Sequence, residues 1–241
     1  MIFLFTDYGL EGPYIGQVET VLHQHAPNEK VINIMADAPR NNPKASAYLL
    51  ASLMTQIPVE SILLCVVDPR VGSNEDKPVI MKIDNSWFVG PENGLFDIVA
   101  RQDKGLECWE ITWLPEQLSK SFHGRDLYAP VCTMIANKES IPGDKFDWIE
   151  RHNLPSDLFE VIYIDHFGNC MTGIRGDVVN NKTIFKIDEK EGCRADTFTN
   201  VATGQAFWYV NSNGLIEIAV NKASATDSLN LSIGDPLAIL T

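Results

Sequence analysis

The chain has 241 residues, of which 45% are hydrophobic and 21% charged, and its formal net charge at pH 7 is −13. This length and composition are those of a globular protein with one large domain or two modest ones. The negative charge argues against a nucleic-acid partner and an anionic membrane surface, because phosphate groups are bound by basic surface. No apolar run approaches the ~18 residues of a transmembrane helix, so we expect no membrane partner.

The first half of the sequence alternates short apolar runs with helical patterns. Strands are predicted at 2–5, 31–35, 62–67 and 109–113, with a hairpin at 78–83 and 87–89, and helices at about 13–22, 45–54, 95–101 and 127–137. Strands that alternate with helices predict an α/β domain with a mainly parallel sheet.

The pattern changes in the second half. The segment 141–157 carries charge, prolines and glycine with little periodicity, as in a linker. Short β-rich runs follow it, separated by Gly, Asn and Asp turns and by no convincing helix; they lie at 161–164, 183–187, 206–210, 215–220 and 236–240. We therefore predict an α/β domain over 1–140, a linker over 141–157 and a smaller all-β, barrel-like domain over 158–241.

Cysteine usage indicates the redox compartment. The five cysteines are scattered, odd in number and form no CxxC pair: Cys65, Cys108, Cys132, Cys170 and Cys193. This pattern is typical of buried thiols in a reducing cytoplasm rather than of a disulfide framework or a zinc site. We therefore expect a cytoplasmic location.

Polar residues follow several of the predicted strands. Asp7 follows the first strand, Asp68 follows the apolar run 62–67, and Asp165 follows the strand at 161–164. His123 lies in a loop next to a glycine. Ligands of open α/β sheets bind beyond the carboxyl ends of the strands, where an Asp and a His can handle a proton. An aspartate at such a place is also typical of a turn or a cap, and a lone histidine is more often a surface or core residue than a catalyst.

A metal-dependent hydrolase that uses Asp7, Asp68, His123 and Asp126 is one alternative. The sequence has no HxxxH or HExxH spacing, and we predict no metal. It also lacks a GxxxxGK[ST] loop, a GxGxxG after the first strand and a GxSxG elbow. Phosphate-cradling loops and the usual serine nucleophile are therefore not predicted.

Six stretches form an ordered series over nearly the whole chain. They are Thr6–Gly9, Val66–Gly72, Gly90–Gly94, Phe122–Asp126, Asp165–Asn169 and Ser212–Ala219. In this series the chain resembles the S-adenosylmethionine hydroxide adenosyltransferase family, which is similar in fold to the fluorinase and the chlorinase.

The resemblance implies an activity and an assembly. It implies a homotrimer that binds S-adenosylmethionine between the α/β domain of one subunit and the β-domain of the next. Water or hydroxide would attack the ribose C5′ carbon and give adenosine and L-methionine, with no cofactor. By matching motif positions, Asp68 and His123 correspond to two members of the family's Asp-Arg-His set that activates the water.

The resemblance also implies contacts with the substrate. They are Asp7 with the ribose hydroxyls, Asp165 and Ser212 with the methionine end, Asn213 beside Ser212, and Asn169 and Phe198 with adenine by a hydrogen bond and a ring contact. Asn213 stands where the halogenases carry an arginine.

The loop after Asp68 departs from the family pattern. The family reads Asp-Pro-Gly-Val-Gly-Thr and then arginine, whereas here Arg70 replaces the first glycine and Glu75 or Asp76 stands at the arginine position. Arg70 is expected to pair with a carboxylate and not to face the pocket, and Lys77 is predicted to take over the role of the arginine. The expected result is weak hydrolysis that rises with pH. The alternative is an adenosine- or S-adenosylmethionine-binding protein with little or no turnover.

Overall fold

The structure is a computed structural model that describes residues 1–73, 75, 77–101, 105–187 and 190–240. The chain divides into two compact units, one formed by 1–50 and 56–153 and the other by 51–55 and 154–241. Each unit contains one seven-stranded sheet. The protein is therefore built from two α/β units.

Seven strands form the sheet of the first unit. They are β1 (Ile2–Thr6), β2 (Val31–Met35), β3 (Ile62–Val66), β4 (Pro78–Ile83), β5 (Ser86–Pro91), β6 (Glu107–Ile111) and β7 (Gly143–Phe146), in the spatial order β2-β1-β3-β5-β4-β6-β7. The first three neighbouring pairs are parallel, and the pairs β5–β4, β4–β6 and β6–β7 are antiparallel.

This sheet is mixed, whereas the sequence predicts a mainly parallel one. The difference arises at the hairpin, since β4 and β5 are joined by the short turn Asp84–Asn85, and so short a connection allows only an antiparallel pair. The hairpin itself is confirmed. Strands β6 and β7 then extend the sheet from the antiparallel strand β4.

Strand β7 lies inside the segment 141–157, for which the sequence predicts a linker. It pairs with β6 from Cys108↔Phe146 to Ile111↔Gly143. The strand has no apolar alternation because it lies at the sheet edge and none of its side chains is fully buried. The proposed division into domains stays a prediction.

The helices of the first unit begin with α1 (Tyr14–His25) and α2 (Pro43–Leu53), the latter followed by a 3-10 turn at Met54–Gln56. The predicted helix at 95–101 is shorter, since α3 covers only Asp97–Ala100. A π-helical turn at Gly124–Tyr128 leads into α4 (Ala129–Ala136).

The core of the first unit explains why these segments form a sheet covered by helices. All five residues of β3 are buried, as is usual for a parallel strand that is covered on both faces. Val18 and Leu22 of α1 and Val131 and Ile135 of α4 belong to the same apolar cluster as the central strands. Within the described ranges, no helix has both the length and the apolar character to cross a bilayer.

The second unit contains the remaining elements. They are β8 (Leu158–Ile164), β9 (Cys170–Arg175), β10 (Ile184–Ile187), β11 (Lys190–Arg194), a 3-10 turn (Phe198–Asn200), β12 (Ala206–Val210), β13 (Leu215–Val220), α5 (Ala225–Leu229) and β14 (Ala238–Leu240). The strand order is β14-β10-β11-β12-β13-β9-β8, with one parallel pair, β11–β12.

The helix α5 is a correction to the all-β prediction for the second unit. The Ser224 hydroxyl accepts a hydrogen bond from the Asp227 backbone N–H at its start, and Asn230 ends it in the left-handed conformation. Ser and Asn are favoured at these two caps. A helix of five residues is too short for a 3.6-residue period to be visible in the sequence.

Candidate active site

Two carboxylates follow neighbouring parallel strands of the first unit. Thr6 at the end of β1 is paired with Val66 at the end of β3. The Asp7 backbone N–H donates to the Val66 carbonyl at 3.3 Å. Asp7 and Asp68 therefore lie near the same carboxyl edge of the sheet, as the sequence predicts for strand-end residues.

A cavity of about 680 Å³ in the first unit, here called the first cavity, brings together Asp68, Lys77 and His123. The three catalytic residues predicted from the sequence thus share one opening. Its other charged lining residues are Arg70, Glu110 and Lys120.

The cations of the first cavity differ in their partners. The Lys77 ammonium contacts Glu110, which offsets its charge and holds its position. Arg70 pairs with Glu75 at 2.9 Å, so the expectation that it meets a carboxylate is confirmed. It also lines the first cavity, so the expectation that it faces away from the pocket is wrong. Lys120 forms no ion pair with any described residue. Asp76, the other residue at the family's arginine position, lies outside the described residues.

Two close contacts fix the conformation of the loop after Asp68. The Asp68 carboxylate accepts a hydrogen bond from the Arg70 backbone N–H at 3.1 Å. Gly72 has a φ of +82°, and a Cβ there would lie 2.2 Å from the Lys120 carbonyl oxygen. Only glycine combines this conformation with so close an approach to another backbone.

The turn Gly90–Gly94 supports the site from the neighbouring strand. The buried Asn93 side chain donates through Nδ2 to the Val67 carbonyl at 2.8 Å, directly before Asp68. The Glu92 backbone N–H donates to the Lys77 carbonyl, also at 2.8 Å. This turn therefore fixes the backbone at both Asp68 and Lys77, a role that the sequence did not reveal.

Tyr8 is a further residue of this region that sequence reasoning missed. Its ring packs against Phe122 at 5.5 Å, and a Cβ on Gly124 would lie 1.9 Å from its hydroxyl. Burial, together with the charges of Asp7 and Asp68, raises the pKa of Tyr8, which keeps the phenol neutral. The only signal in the sequence is its place within Thr6–Gly9.

Asp7 itself is not among the lining residues of the first cavity. Its side chain accepts a hydrogen bond from the Asn41 backbone N–H at 2.9 Å. Burial raises the pKa of this carboxyl group. Asp7 thus lies at the predicted strand end with one oxygen engaged by the chain.

The residues of the metal-dependent alternative have other contacts. Asp126 is paired with Arg125 and accepts from the Ser119 backbone N–H at 2.9 Å. The Arg125 hydrogen bond lowers the pKa of Asp126. In the described part of the chain, no three His, Cys, Asp or Glu residues form a group that could hold a metal ion.

A second cavity, of about 700 Å³, lies in the second unit and is lined by Asp165, Asn169 and Phe198. Three residues predicted to bind substrate therefore share it. Phe167 and Tyr209 line it too and were not predicted. Phe167 is 76% exposed, which is unusual for so large an apolar side chain.

Asp165 and Asn169 form one hydrogen-bonded turn. Asp165 Oδ1 accepts from the backbone N–H groups of Phe167 and Asn169, each at 2.8 Å. Asp165 Oδ2 accepts from Asn169 Nδ2 at 2.9 Å. One N–H of the Asn169 amide is thereby engaged, and its Oδ1 is the atom that can accept from a ligand.

Phe198 belongs to an aromatic cluster at the second cavity. Its ring meets Phe207 at 5.1 Å and Tyr209 at 5.7 Å, both edge-on. Ser212 and Asn213 are not among the lining residues and lie in the turn between β12 and β13. The structure thus brings Asp165, Asn169 and Phe198 together and places the other two in a neighbouring loop.

Known proteins match this chain over nearly its full length. The model of the SAM hydroxide adenosyltransferase N-terminal domain matches residues 2–143, and that of the C-terminal domain matches residues 159–238. An (R)-S-adenosyl-L-methionine hydrolase of Salinispora tropica is 30% identical, over 97% of this chain and 95% of its own. One of Thermus thermophilus is 29% identical, over 99% of both chains.

A solved structure has a similar fold. A crystal structure of an uncharacterized conserved protein from Thermotoga maritima is 29% identical and superposes with a TM-score of 0.88 over 100% of both chains. Fold and cavities thus define an α/β protein with two mixed sheets and a cavity in each unit. The chain belongs to the SAM hydroxide adenosyltransferase family.

Proposed function

We propose that this protein hydrolyses S-adenosyl-L-methionine to adenosine and L-methionine. The proposal rests on the observation that Asp68 and His123 line the same cavity in a chain that belongs to this family. The curated relatives are named as hydrolases of this compound. S-adenosylmethionine is the substrate, and the reaction requires no cofactor.

The substrate brings its own leaving group. The sulfonium is a cation and departs as a neutral thioether, so no acid is needed on that side. The water oxygen forms a bond to C5′ while the C5′–S bond breaks and its electron pair goes to sulfur. The protein must hold the water in line with the C5′–S bond and remove its proton, a task for which the Asp68 carboxylate and the His123 imidazole are suited.

Water is a better nucleophile here than a halide. A halide at the position of the attacking water would lie beside the Asp68 carboxylate. Like charges repel strongly where the dielectric constant is low. Water carries no charge and can donate a hydrogen bond to a carboxylate, so the same cavity accepts it.

The ligand contacts of the proposal extend to the second unit. Asp7 holds the ribose hydroxyls, Asp165 holds the methionine end, and Asn169 and Phe198 hold adenine. Ser212 and Asn213 complete the methionine end. The acceptor Oδ1 of Asn169 suits the 6-amino group of adenine, which is a hydrogen-bond donor.

We also propose the assembly and location that go with this function. The protein is a homotrimer with its sites between subunits, its C-terminal domain is barrel-like, and it acts in the cytoplasm. Four of its five cysteines are buried free thiols, which supports a reducing compartment. Light scattering at micromolar concentration tests the assembly, and a monomer would contradict it.

The test of function is to incubate purified protein with S-adenosylmethionine, with and without a chelator, and to measure adenosine. Hydrolysis as proposed yields adenosine in both samples. A rate abolished by chelator would favour the metal-dependent alternative. Binding of adenosine without turnover would favour the ligand-binding alternative.

Asp68→Asn separates catalysis from binding. The change removes the charge that acts on the water and leaves the adenine contacts intact. We expect it to remove most of the turnover while adenosine binding stays close to wild type. Wild-type turnover in Asp68→Asn would contradict the water-activating role.

A further inference from the structure

Glu217 is a buried carboxylate that the proposed function does not use. It lies in the middle of β13, where all six residues are buried, and is itself only 3% exposed. It forms no ion pair with any described residue. Burying a carboxylate costs free energy unless other hydrogen bonds replace those that it makes to water. We therefore examined what Glu217 contacts.

The side chain of Glu217 faces away from the main core of the second unit. Its neighbours Ile216 and Ile218 belong to that core, and successive residues of a strand point to opposite faces. Glu217 is paired across the sheet with Tyr209 of β12. It therefore lies on the face of the sheet where Tyr209 lines the second cavity.

Each carboxylate oxygen of Glu217 accepts a hydrogen bond from a different part of the site. The Tyr209 hydroxyl donates to Oε1. The Asn211 amide donates through Nδ2 to Oε2 at 2.9 Å. One acid thus holds both a cavity wall and a residue of the next turn.

The contact with Asn211 extends into the turn that carries Ser212. The Oδ1 atom of Asn211 accepts from the backbone N–H groups of Asn213 at 3.0 Å and Leu215 at 3.1 Å. The orientation of the Asn211 amide is fixed by Glu217, since Nδ2 must face the carboxylate. Glu217 therefore contributes, through Asn211, to holding the backbone around Ser212, five residues earlier in the chain.

We propose that Glu217 is a positioning residue that holds Tyr209 against the ligand of the second cavity and, through Asn211, holds the turn that carries Ser212. The inference rests on the proposed function, which puts the nucleoside in the second cavity and the methionine end at Ser212. Glu217 touches neither; it links the residues that do. An apolar residue would fill the position without a buried charge, but it would leave the Tyr209 hydroxyl and the Asn211 amide unheld.

The test compares two substitutions at this position. Glu217→Leu removes both acceptors, whereas Glu217→Gln keeps one acceptor and offers an amide N–H that the Tyr209 hydroxyl can accept. We expect Glu217→Leu to weaken S-adenosylmethionine binding and raise KM by about tenfold, with a much smaller fall in kcat, because hydrogen bonds to charged groups contribute on that order. Glu217→Gln should recover most of this loss. Adenosine, which lacks the methionine end, should lose less affinity than S-adenosylmethionine.

Thr172→Val is the matched structural control. Thr172 is fully buried in β9, and its hydroxyl donates to the Ile216 carbonyl at 2.9 Å, away from the cavity lining. We expect this variant to unfold at a lower temperature and to bind S-adenosylmethionine as the wild type does. A purely structural role for Glu217 predicts the same behaviour for Glu217→Leu.

Calorimetric titration measures the affinity of each variant for S-adenosylmethionine and for adenosine, and circular dichroism shows whether the variant is folded. A folded Glu217→Leu with wild-type affinity and KM overturns the inference. If Glu217→Leu does not fold, Tyr209→Phe replaces it, and unchanged affinity there overturns the inference as well. A wild type that binds neither compound refutes the proposed function, and the inference falls with it.

Discussion

The loop after Asp68 lacks the arginine of the family pattern, and Lys77 is the residue predicted to replace it. Its ammonium is held by Glu110, so its position is defined although its charge is partly offset. An ammonium is a compact point charge and orients a water less firmly than the planar fork of an arginine. This is the physical reason to expect weak hydrolysis.

Lys77→Ala and Lys120→Ala form a matched pair, because both lysines line the first cavity. If Lys77 has taken over the role of the arginine, Lys77→Ala should lower kcat about tenfold or more, a loss of at least ~1.4 kcal/mol in transition-state stabilisation, and change substrate binding less. Lys120→Ala should have the smaller effect on kcat, since no described carboxylate orients its ammonium. Steady-state kinetics on both variants measure kcat and KM. The reverse order would assign the role to Lys120.

Phe198 tests the adenine contact. It lies at the edge of an aromatic cluster and lines the second cavity. Phe198→Ala should weaken adenosine binding by about 1–3 kcal/mol, the magnitude of contacts between bases and aromatic rings. Phe159→Ala, at a 37% exposed phenylalanine outside that cavity, is the control and should bind normally. Equal affinities of the two folded variants would reject the contact.

The residues that share a cavity were predicted well from the sequence. The contacts that hold those residues in place were not. Asp68, Lys77 and His123 share one cavity, and Asp165, Asn169 and Phe198 share another. Tyr8, Glu110, Asn93, Tyr209 and Glu217 were missed. Their positions depend on contacts between distant strands or loops, such as that of Asn93 with the Val67 carbonyl, which leave no spacing pattern in the chain.

The loop between Asp68 and Lys77 depends on Gly72. Gly72→Ala combines a left-handed φ of +82° with a Cβ that would lie 2.2 Å from a backbone oxygen. Gly204 has almost the same φ, +80°, with no atom within 4 Å of its Cβ position. Gly204→Ala should cost about 1–2 kcal/mol in the free energy of unfolding, from backbone strain alone.

Gly72→Ala should cost more than Gly204→Ala, because the backbone of the loop or of Lys120 must also move. It should lower turnover too, since the loop begins at Asp68. Chemical denaturation and the adenosine assay on both variants measure these effects. Equal stability losses and unchanged turnover for Gly72→Ala would show that the close approach to Lys120 does not matter.

Two carboxylates should give opposite pH dependences of stability. Burial raises the pKa of Glu217 above its ordinary value of 4.5, so its contribution is fully present below that value and is lost as pH rises through the raised pKa. The Arg125 hydrogen bond lowers the pKa of Asp126 below 3.8, so its contribution is present above that value and is lost as pH falls.

Denaturation of wild type, Glu217→Gln and Asp126→Asn between pH 3 and pH 8 checks these signs. Relative to Glu217→Gln, the wild type should lose stability as pH rises. Relative to Asp126→Asn, it should gain stability as pH rises from the acid end. Parallel stability curves for all three proteins would contradict both assignments.

Elements with a continuous apolar run were predicted well, and elements whose sequence lacks such a run were not. The apolar runs of β1, β2, β3, β12 and β13 lie where the sequence predicts them. Strands β7, β9 and β11 and helix α5 were missed. The polar edge strand β7 has no apolar alternation, and α5 is shorter than two helical turns. The sequence predicted a mainly parallel first sheet, whereas three of its six neighbouring pairs are antiparallel. The local sequence indicates where a strand lies but not which strand pairs with it.

Each of the two units carries a cavity, and the proposed reaction uses the groups of both. The first cavity offers a carboxylate and an imidazole for the water. The second offers aromatic and amide groups of the type that bind a nucleoside. An acidic chain of net charge −13 also suits a cationic sulfonium substrate.

The most direct test of the proposed reaction is incubation of the protein with S-adenosylmethionine in H₂¹⁸O, followed by mass spectrometry of the products. Attack of water at C5′ predicts adenosine that carries one ¹⁸O atom in its 5′-hydroxyl group, together with unlabelled methionine. Asp68→Asn, measured in parallel, should form far less of the labelled adenosine. Adenosine without the label, a labelled fragment from the methionine side, or no adenosine at all would contradict the proposed hydrolysis.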